Sequence, residues 1–313
     1  FSDTYNPLDY GALRYCEARV WAFFRKVDPG MERFISYVKG QTAERMPLWV
    51  KPAFKLSAQK LKDYMRDQYE GTEFDMTKGL AAGPFQTKLR HSPLTFKVDS
   101  VEYGHERPTA TQQTGFTFVA QMRSWLPNYI GGILWFGVDD AASALYVPMY
   151  CGINSVPECF RLDNGSLLDY SATSAFWIYN QVSNFAYGKY SFMMPDIKKV
   201  QAKWENDFNS LVPAMDKVAM PMPEKEARVF LTDFSLAQAE KSTAAWKKLG
   251  EYLLVKYMDG NVKKEQDGRF LQNEAKIPPS ILREGYPEDF LRKMVKENPG
   301  SRVLTKEEMQ NRK

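Results

Sequence analysis

Histidine is the scarcest chemistry-bearing residue in this sequence: His91 and His105 are the only two in 313 residues. A zinc site with several imidazole ligands cannot be assembled from this chain alone. Cysteine is nearly as rare, with Cys16, Cys151 and Cys159 and no CxxC pair. An odd count argues against a disulfide framework. A Cys151–Cys159 bridge is one option, and burial as small hydrophobes is the other. No HExxH, Walker A, GxGxxG or GxSxG pattern occurs, which argues against nucleotide chemistry and the serine-hydrolase elbow. No apolar run approaches the roughly 18 residues that cross a bilayer. The longest candidate, 131–138, has the length of a core strand. Charge of one sign is also lacking. The 42 basic and 38 acidic residues leave a net +4, too mild and too scattered for a nucleic-acid face. Pairs such as Lys198-Lys199, Lys247-Lys248 and Lys263-Lys264 read as solvated helix or turn positions.

What is present is an ordinary globular composition, 44% hydrophobic and 26% charged, in a chain long enough for a substantial core. Leu13, Cys16, Val20, Phe23, Phe24 and Val27 recur at helical spacing, and Asp28-Pro29-Gly30 stops that helix. Ser57 is placed to cap a second helix running to about Tyr69, with Gly71 beyond its end. Residues 72–93, with Gly79, Gly83 and Pro84, read as a long connection. The pattern then changes. Residues 94–103 alternate around Asp99-Ser100 as a hairpin would. Residues 116–122 read as a strand, 130–138 as a strand buried on both faces, and 144–149 as a fourth candidate. Their short spacing predicts antiparallel neighbours in one sheet. Helical periodicity returns from Ser171 or Thr173, again from Asp196, and from Glu224 to Tyr257. A polar tail follows Asp259-Gly260, with a short helix at 289–295.

The order of helices, strands and helices predicts an α+β fold. Four segments follow: 1–93 helical and loop, 94–150 the antiparallel strand cluster, 151–260 helical, and 261–313 the tail, all parts of one domain. Four strands with one very apolar member want further strands beside them. Together with a start at Phe1 instead of Met, this suggests that the N-terminal part of the domain is missing.

The polar groups that invite a functional reading surround the strand cluster. Asp139-Asp140 closes a strand, where a carboxylate pair can hold a cation or act as acid and base. The alternative is a turn. Adjacent strand residues also point to opposite faces, which weakens the pair as a site. Gln121 and Arg123, two apart, share a face and suit a substrate carboxylate, or equally a tie to a neighbouring loop. Arg19 in the first helix either snorkels to water or aims into a site. The aromatic and amide residues of 170–190, Asn180, Gln181 and Asn184 among them, read as a helix core stripe. Each cysteine is formally a nucleophile, but none has a histidine near it in sequence.

Several runs resemble peptidase family C69, the dipeptidases. They are Gln112-Gln113-Thr114-Gly115-Phe116, Gln121-Met122-Arg123-Ser124-Trp125-Leu126-Pro127, and Leu134-Trp135-Phe136-Gly137-Val138-Asp139-Asp140. To these add Tyr146-Val147-Pro148-Met149-Tyr150-Cys151-Gly152-Ile153, Val156-Pro157-Glu158-Cys159-Phe160, Thr173-Ser174-Ala175-Phe176-Trp177 and Asn184-Phe185-Ala186-Tyr187. The resemblance is dense over 110–190 and thinner from 1 to about 260. It implies an N-terminal-nucleophile hydrolase with a four-layer αββα sandwich. In that class a cysteine at the mature N-terminus attacks the amide, and its own α-amino group serves as base. The resemblance further implies a bacterial thiol dipeptidase acting on small peptides without metal or other cofactor. This sequence would be its C-terminal portion, inactive alone, with the catalytic segment or chain as its partner. Distantly similar bile-salt and penicillin-V amidases place a later Arg near the nucleophile. Arg123 is the matching candidate for supporting charge, with Gln121 as a substrate-binding candidate. An amidase of non-peptide acyl amides and a non-catalytic scaffold are the rival readings. Homo-oligomerisation is compatible with the sequence. Compartment is undetermined, cytoplasmic or exported, because any signal would lie in the missing part.

Overall fold

The structure is a computed structural model and describes residues 2–91, 94–298 and 302–310. Parts of the expected 72–93 connection and of the tail therefore lie outside the described residues. The chain mixes helix and sheet in the expected order.

The N-terminal helix opens as a π-helical stretch, Ala12–Glu17, and continues as α1, Ala18–Val27. Its apolar stripe puts Ala18, Trp21 and Ala22 inside, against Phe34, Tyr37, Tyr69, Phe74 and Met76 in a small core of their own. Asp28 ends it in extended conformation, and its carboxylate accepts the Gly30 N–H at 2.9 Å. Helix α2, Ala58–Met65, is capped by Ser57, whose hydroxyl accepts the Lys60 N–H at 3.2 Å. It stops four residues short of the expected end. Arg66 leaves helical geometry, and its guanidinium reaches Glu205 and the Ala141 and Ala144 carbonyls. Lys26 pairs with the buried Asp67 one residue on. These distant partners outweigh local helix propensity.

Strands β1 (Thr95–Val98) and β2 (Val101–Gly104) form a hairpin. Asp99 and Ser100 both adopt positive φ, as a two-residue primed turn requires. The hairpin pairs with itself, so the strand cluster is two sheets where one was expected. The main sheet is antiparallel, in the order β3 (Phe116–Met122), β4 (Gly132–Val138), β5 (Val147–Tyr150). Phe118 pairs with Phe136, and Leu134 with Met149. Residues 144–146 remain outside β5. The Ala144 carbonyl is taken by Gln201 at 2.7 Å and by Arg66, and the Tyr146 N–H by Glu205 at 3.2 Å.

Three helices complete the main core: α3 (Ala175–Gly188), α4 (Tyr190–Ala219) and α5 (Glu224–Tyr257). Helix α4 begins six residues before the expected Asp196 and carries Pro195 and Pro213 within it. Pro195 is exposed in the second turn, where it leaves the Ser191 carbonyl without its i+4 donor. Helices α4 and α5 pack on β5, α2 packs on β3, and Tyr179 of α3 stacks on Trp246 of α5 at 5.1 Å. Beyond α5 the chain forms four two-residue strands, β6 (Val262–Lys263) to β9 (Ile281–Leu282), and then helix α6, Glu288–Lys296.

The two faces of the main sheet differ. On one, Thr117, Val119, Ile133, Trp135 and Tyr150 are buried. On the other, cover falls away from β5 to β3: Val147 and Met149 are buried, Leu134 and Phe136 half-buried, and the β3 side chains bare. Phe116 is 61%, Phe118 48% and Met122 67% exposed. β4 is therefore enclosed fully on one side only, against the expectation of burial on both.

Candidate active site

The richest polar cluster sits where β4 ends. The strand stops at Val138, and Asp139 turns away with φ of 66° while its N–H donates to the Gly115 carbonyl at 2.9 Å. The pleat rule that separates adjacent side chains then no longer applies. Both carboxylates turn inward, and both reach helix α3. Asp139 accepts from Asn180 at 2.8 Å and from Ser183 at 2.7 Å. Asp140 accepts from Tyr187 at 2.7 Å, one turn further along α3, and from the Ala142 N–H at 3.0 Å. Its other partner is Lys88, a buried ammonium that also donates to the Ala110 carbonyl at 3.0 Å. Burial pushes the Asp139 carboxyl above its ordinary range, against the hydrogen bonds from Asn180 and Ser183. Burial likewise pulls Lys88 down, with Asp140 opposing.

This arrangement answers the choice between cation site and turn. Lys88 fills the place a cation would take at Asp140, and no group of three or more His, Cys, Asp or Glu side chains suited to a metal occurs among the described residues. The turn is present too, with Ser143 and Ala144 N–H groups donating to the Asp140 carbonyl. Lys88 was not singled out from sequence. It lies in an irregular connection, where nothing local marks a buried cation. Tyr187 stands out in sequence only as part of a C69 run, and Ser183 has no local signal of its own.

Beside this corner lies a cleft of about 270 Å³, just below the usual range of ligand-pocket volumes. Gly115, Phe116, Phe136 and Val138 of the sheet line it together with Phe160, Leu162 and Trp177. The Trp177 indole is fixed by the Ser166 and Asp169 carbonyls at 3.1 and 3.2 Å. Leu162 and Leu168 of the neighbouring loop are fully exposed. The cleft thus combines an apolar floor with polar groups from Arg161, Asn164, Ser166 and Ser174, while Asp139 and Asp140 are buried and form no part of its lining.

The structure separates the two residues expected to act together. Gln121 faces the buried side and accepts the Trp135 indole N–H at 2.9 Å. Arg123 lies just past β3, 6% exposed, and pairs with Asp216 of α4. Its remaining donors hold the Gly131 and Ile130 carbonyls at 3.2 and 2.7 Å. Asp216 is fixed in turn by Tyr150 at 2.8 Å. Arg123 therefore locks the β3–β4 connection to the helical layer. Arg19 donates to the Tyr15 carbonyl at 2.6 Å inside its own helix. All three cysteines are free thiols. Burial raises the pKa of Cys151 and of Cys159, and Thr243 donates to the Cys159 sulfur at 3.6 Å. Neither setting favours a thiolate.

The motifs that build this corner lie within a longer match. The model of peptidase family C69 matches residues 1–203, well over half of the chain. The chain belongs to peptidase family C69. A more distant relative is a probable dipeptidase of Salmonella dublin, 22% identical over 153 residues. That match covers 49% of this chain and 30% of the relative, so the chain aligns with under a third of that protein's length.

Proposed function

We propose that this C69 chain is the sheet-and-helix portion of a thiol dipeptidase whose nucleophilic cysteine is supplied by a segment outside these 313 residues. The observation that carries the reading is the bare apolar face of β3. An antiparallel sheet open to water on one side normally alternates apolar inward and polar outward. Here the outward positions are Phe116, Phe118, Ala120 and Met122. Such a face fits a second sheet laid across it, giving the four-layer αββα sandwich. The apolar cleft beside the buried Asp139–Asn180 corner would then lie against the second sheet, where a small peptide places a side chain. The settings of Cys151 and Cys159 agree with a nucleophile from elsewhere. Arg123 acts in this reading as a positioning residue for the β3–β4 connection, and Gln121 supports Trp135.

The test uses the full-length gene product. It should carry a cysteine at its mature N-terminus, hydrolyse dipeptides, and lose about a hundredfold or more of kcat/KM on Cys→Ala there. A panel of dipeptides against acyl amides separates peptidase from amidase. Unchanged dipeptide hydrolysis in the Cys→Ala variant overturns the proposal. So does a natural protein near 36.1 kDa with no companion chain and no hydrolysis, which is the result a scaffold would give.

A further inference from the structure

The C-terminal ribbon of 262–282 lies against α4 and α5 and leaves a groove of about 1070 Å³ between them. Its floor is apolar, formed by Val200, Leu249, Tyr252, Val262, Leu271 and Leu282. Its lysines fall into two groups. Lys256 is neutralised by Asp196 at 2.7 Å and Glu265 at 3.5 Å, Lys203 by Asp207 at 3.0 Å, and Lys263 donates to the Val255 carbonyl. Lys199 from α4, Lys248 from α5 and Lys264 from the ribbon are exposed, and their ammonium groups have no hydrogen-bond or ion-pair partner among the described residues. Three separate elements thus each bring a lone positive charge to one groove, with Asp267 as the opposing unpaired acid on its lining. Converging like charges cost folding stability unless an anion offsets them.

We propose that this groove binds an acidic peptide segment, with carboxylates meeting Lys199, Lys248 and Lys264 and apolar side chains laid on the floor between them. The groove slightly exceeds the usual range for small-molecule pockets, which favours a segment of chain. A nucleic acid would want a denser basic stripe and free aromatic faces, and the Tyr252 ring is already stacked on Phe270. A membrane surface would want a protruding element, and this site is concave. Helix α5 and the ribbon, with Lys248 and Lys264, lie beyond residue 203, where the family match ends, while Lys199 and Val200 lie within it.

Fluorescence anisotropy on the full chain tests it. The probes are labelled peptides of alternating Glu and Leu, with Gln and Lys versions of the same peptide as controls. The acidic peptide should bind at least about tenfold tighter than the Gln version, and more weakly as salt rises. The triple variant Lys199→Glu/Lys248→Glu/Lys264→Glu should lose about tenfold or more. The off-groove triple variant Lys217→Glu/Lys225→Glu/Lys241→Glu should retain binding. All six lysines are exposed, so neither variant should fall below the parent Tm, read alongside. Equal binding of the acidic and Gln peptides, or equal loss in both variants, overturns the proposal in favour of general surface charge. Binding to phosphatidylglycerol vesicles without binding to the acidic peptide overturns it in favour of a membrane surface.

Discussion

Lys62 shows what a single residue can reveal. Its ammonium lies 3.4 Å from the centre of the Trp135 ring and has no hydrogen-bond acceptor. Burial brings its pKa down to about 8, with Glu205 only partly opposing. The folded pKa lies below the ordinary 10.5. The unfolded chain therefore binds more protons between these values, and the cost of the buried charge is full below about pH 8 and fades as pH rises. Lys62→Met should be more stable than the parent at neutral pH by about 1–3 kcal/mol, the desolvation term less the lost cation–π contact. Urea denaturation at neutral pH and near pH 10 checks this. The gap should shrink with rising pH, and a constant gap would show that Lys62 carries no such penalty. Nothing in the sequence marks Lys62 as buried, since it sits among Lys60, Asp63 and Arg66 on a short polar helix.

At the scale of the element, the clearest case is β4, whose strand identity was legible from its continuous apolar run. The need for glycine at 137 was not. A Cβ on Gly137 would stand 2.5 Å from the Leu145 carbonyl oxygen, which is backbone and cannot yield cheaply. The return of the chain through 139–146 crosses this point, held by Arg66, Gln201 and Glu205. Gly137→Ala should cost about 1–3 kcal/mol through overpacking and disturb the Asp139–Asn180 corner. Gly115→Ala, with nothing near its added Cβ, should stay within about 0.5 kcal/mol of the parent. Chemical denaturation of both variants makes the comparison. A neutral Gly137→Ala would mean that the loop is not seated on the strand.

At the scale of the whole molecule, the sheet's open face dominates. Phe116 and Phe118, the adjoining cleft and the exposed leucines of the 162–168 loop form an apolar patch of the kind that mediates association. This chain in isolation should bind a hydrophobic dye and self-associate at micromolar concentration. Phe116→Thr/Phe118→Thr should reduce both with little change in Tm, because neither side chain enters the core. Light scattering and dye fluorescence provide the readout. A dye-silent monomeric parent would mean that the face needs no cover, and would count against the second sheet.

The sequence by itself determined the α+β order, the limits of β3, the Ser57 cap, the Asp99-Ser100 turn and the C69 resemblance. Each rests on local periodicity, on turn and cap chemistry, or on long unbroken motifs. Only the tertiary structure decided which charges are buried and with whom. Lys88 meets Asp140, and Arg123 meets Asp216, 93 residues away. It also drew Asp139 and Asp140 together onto α3 and parted Gln121 from Arg123. These outcomes depend on desolvation and on partners far apart in the chain. A carboxylate or a guanidinium has the same local signature whether it faces a site, a neighbour or water.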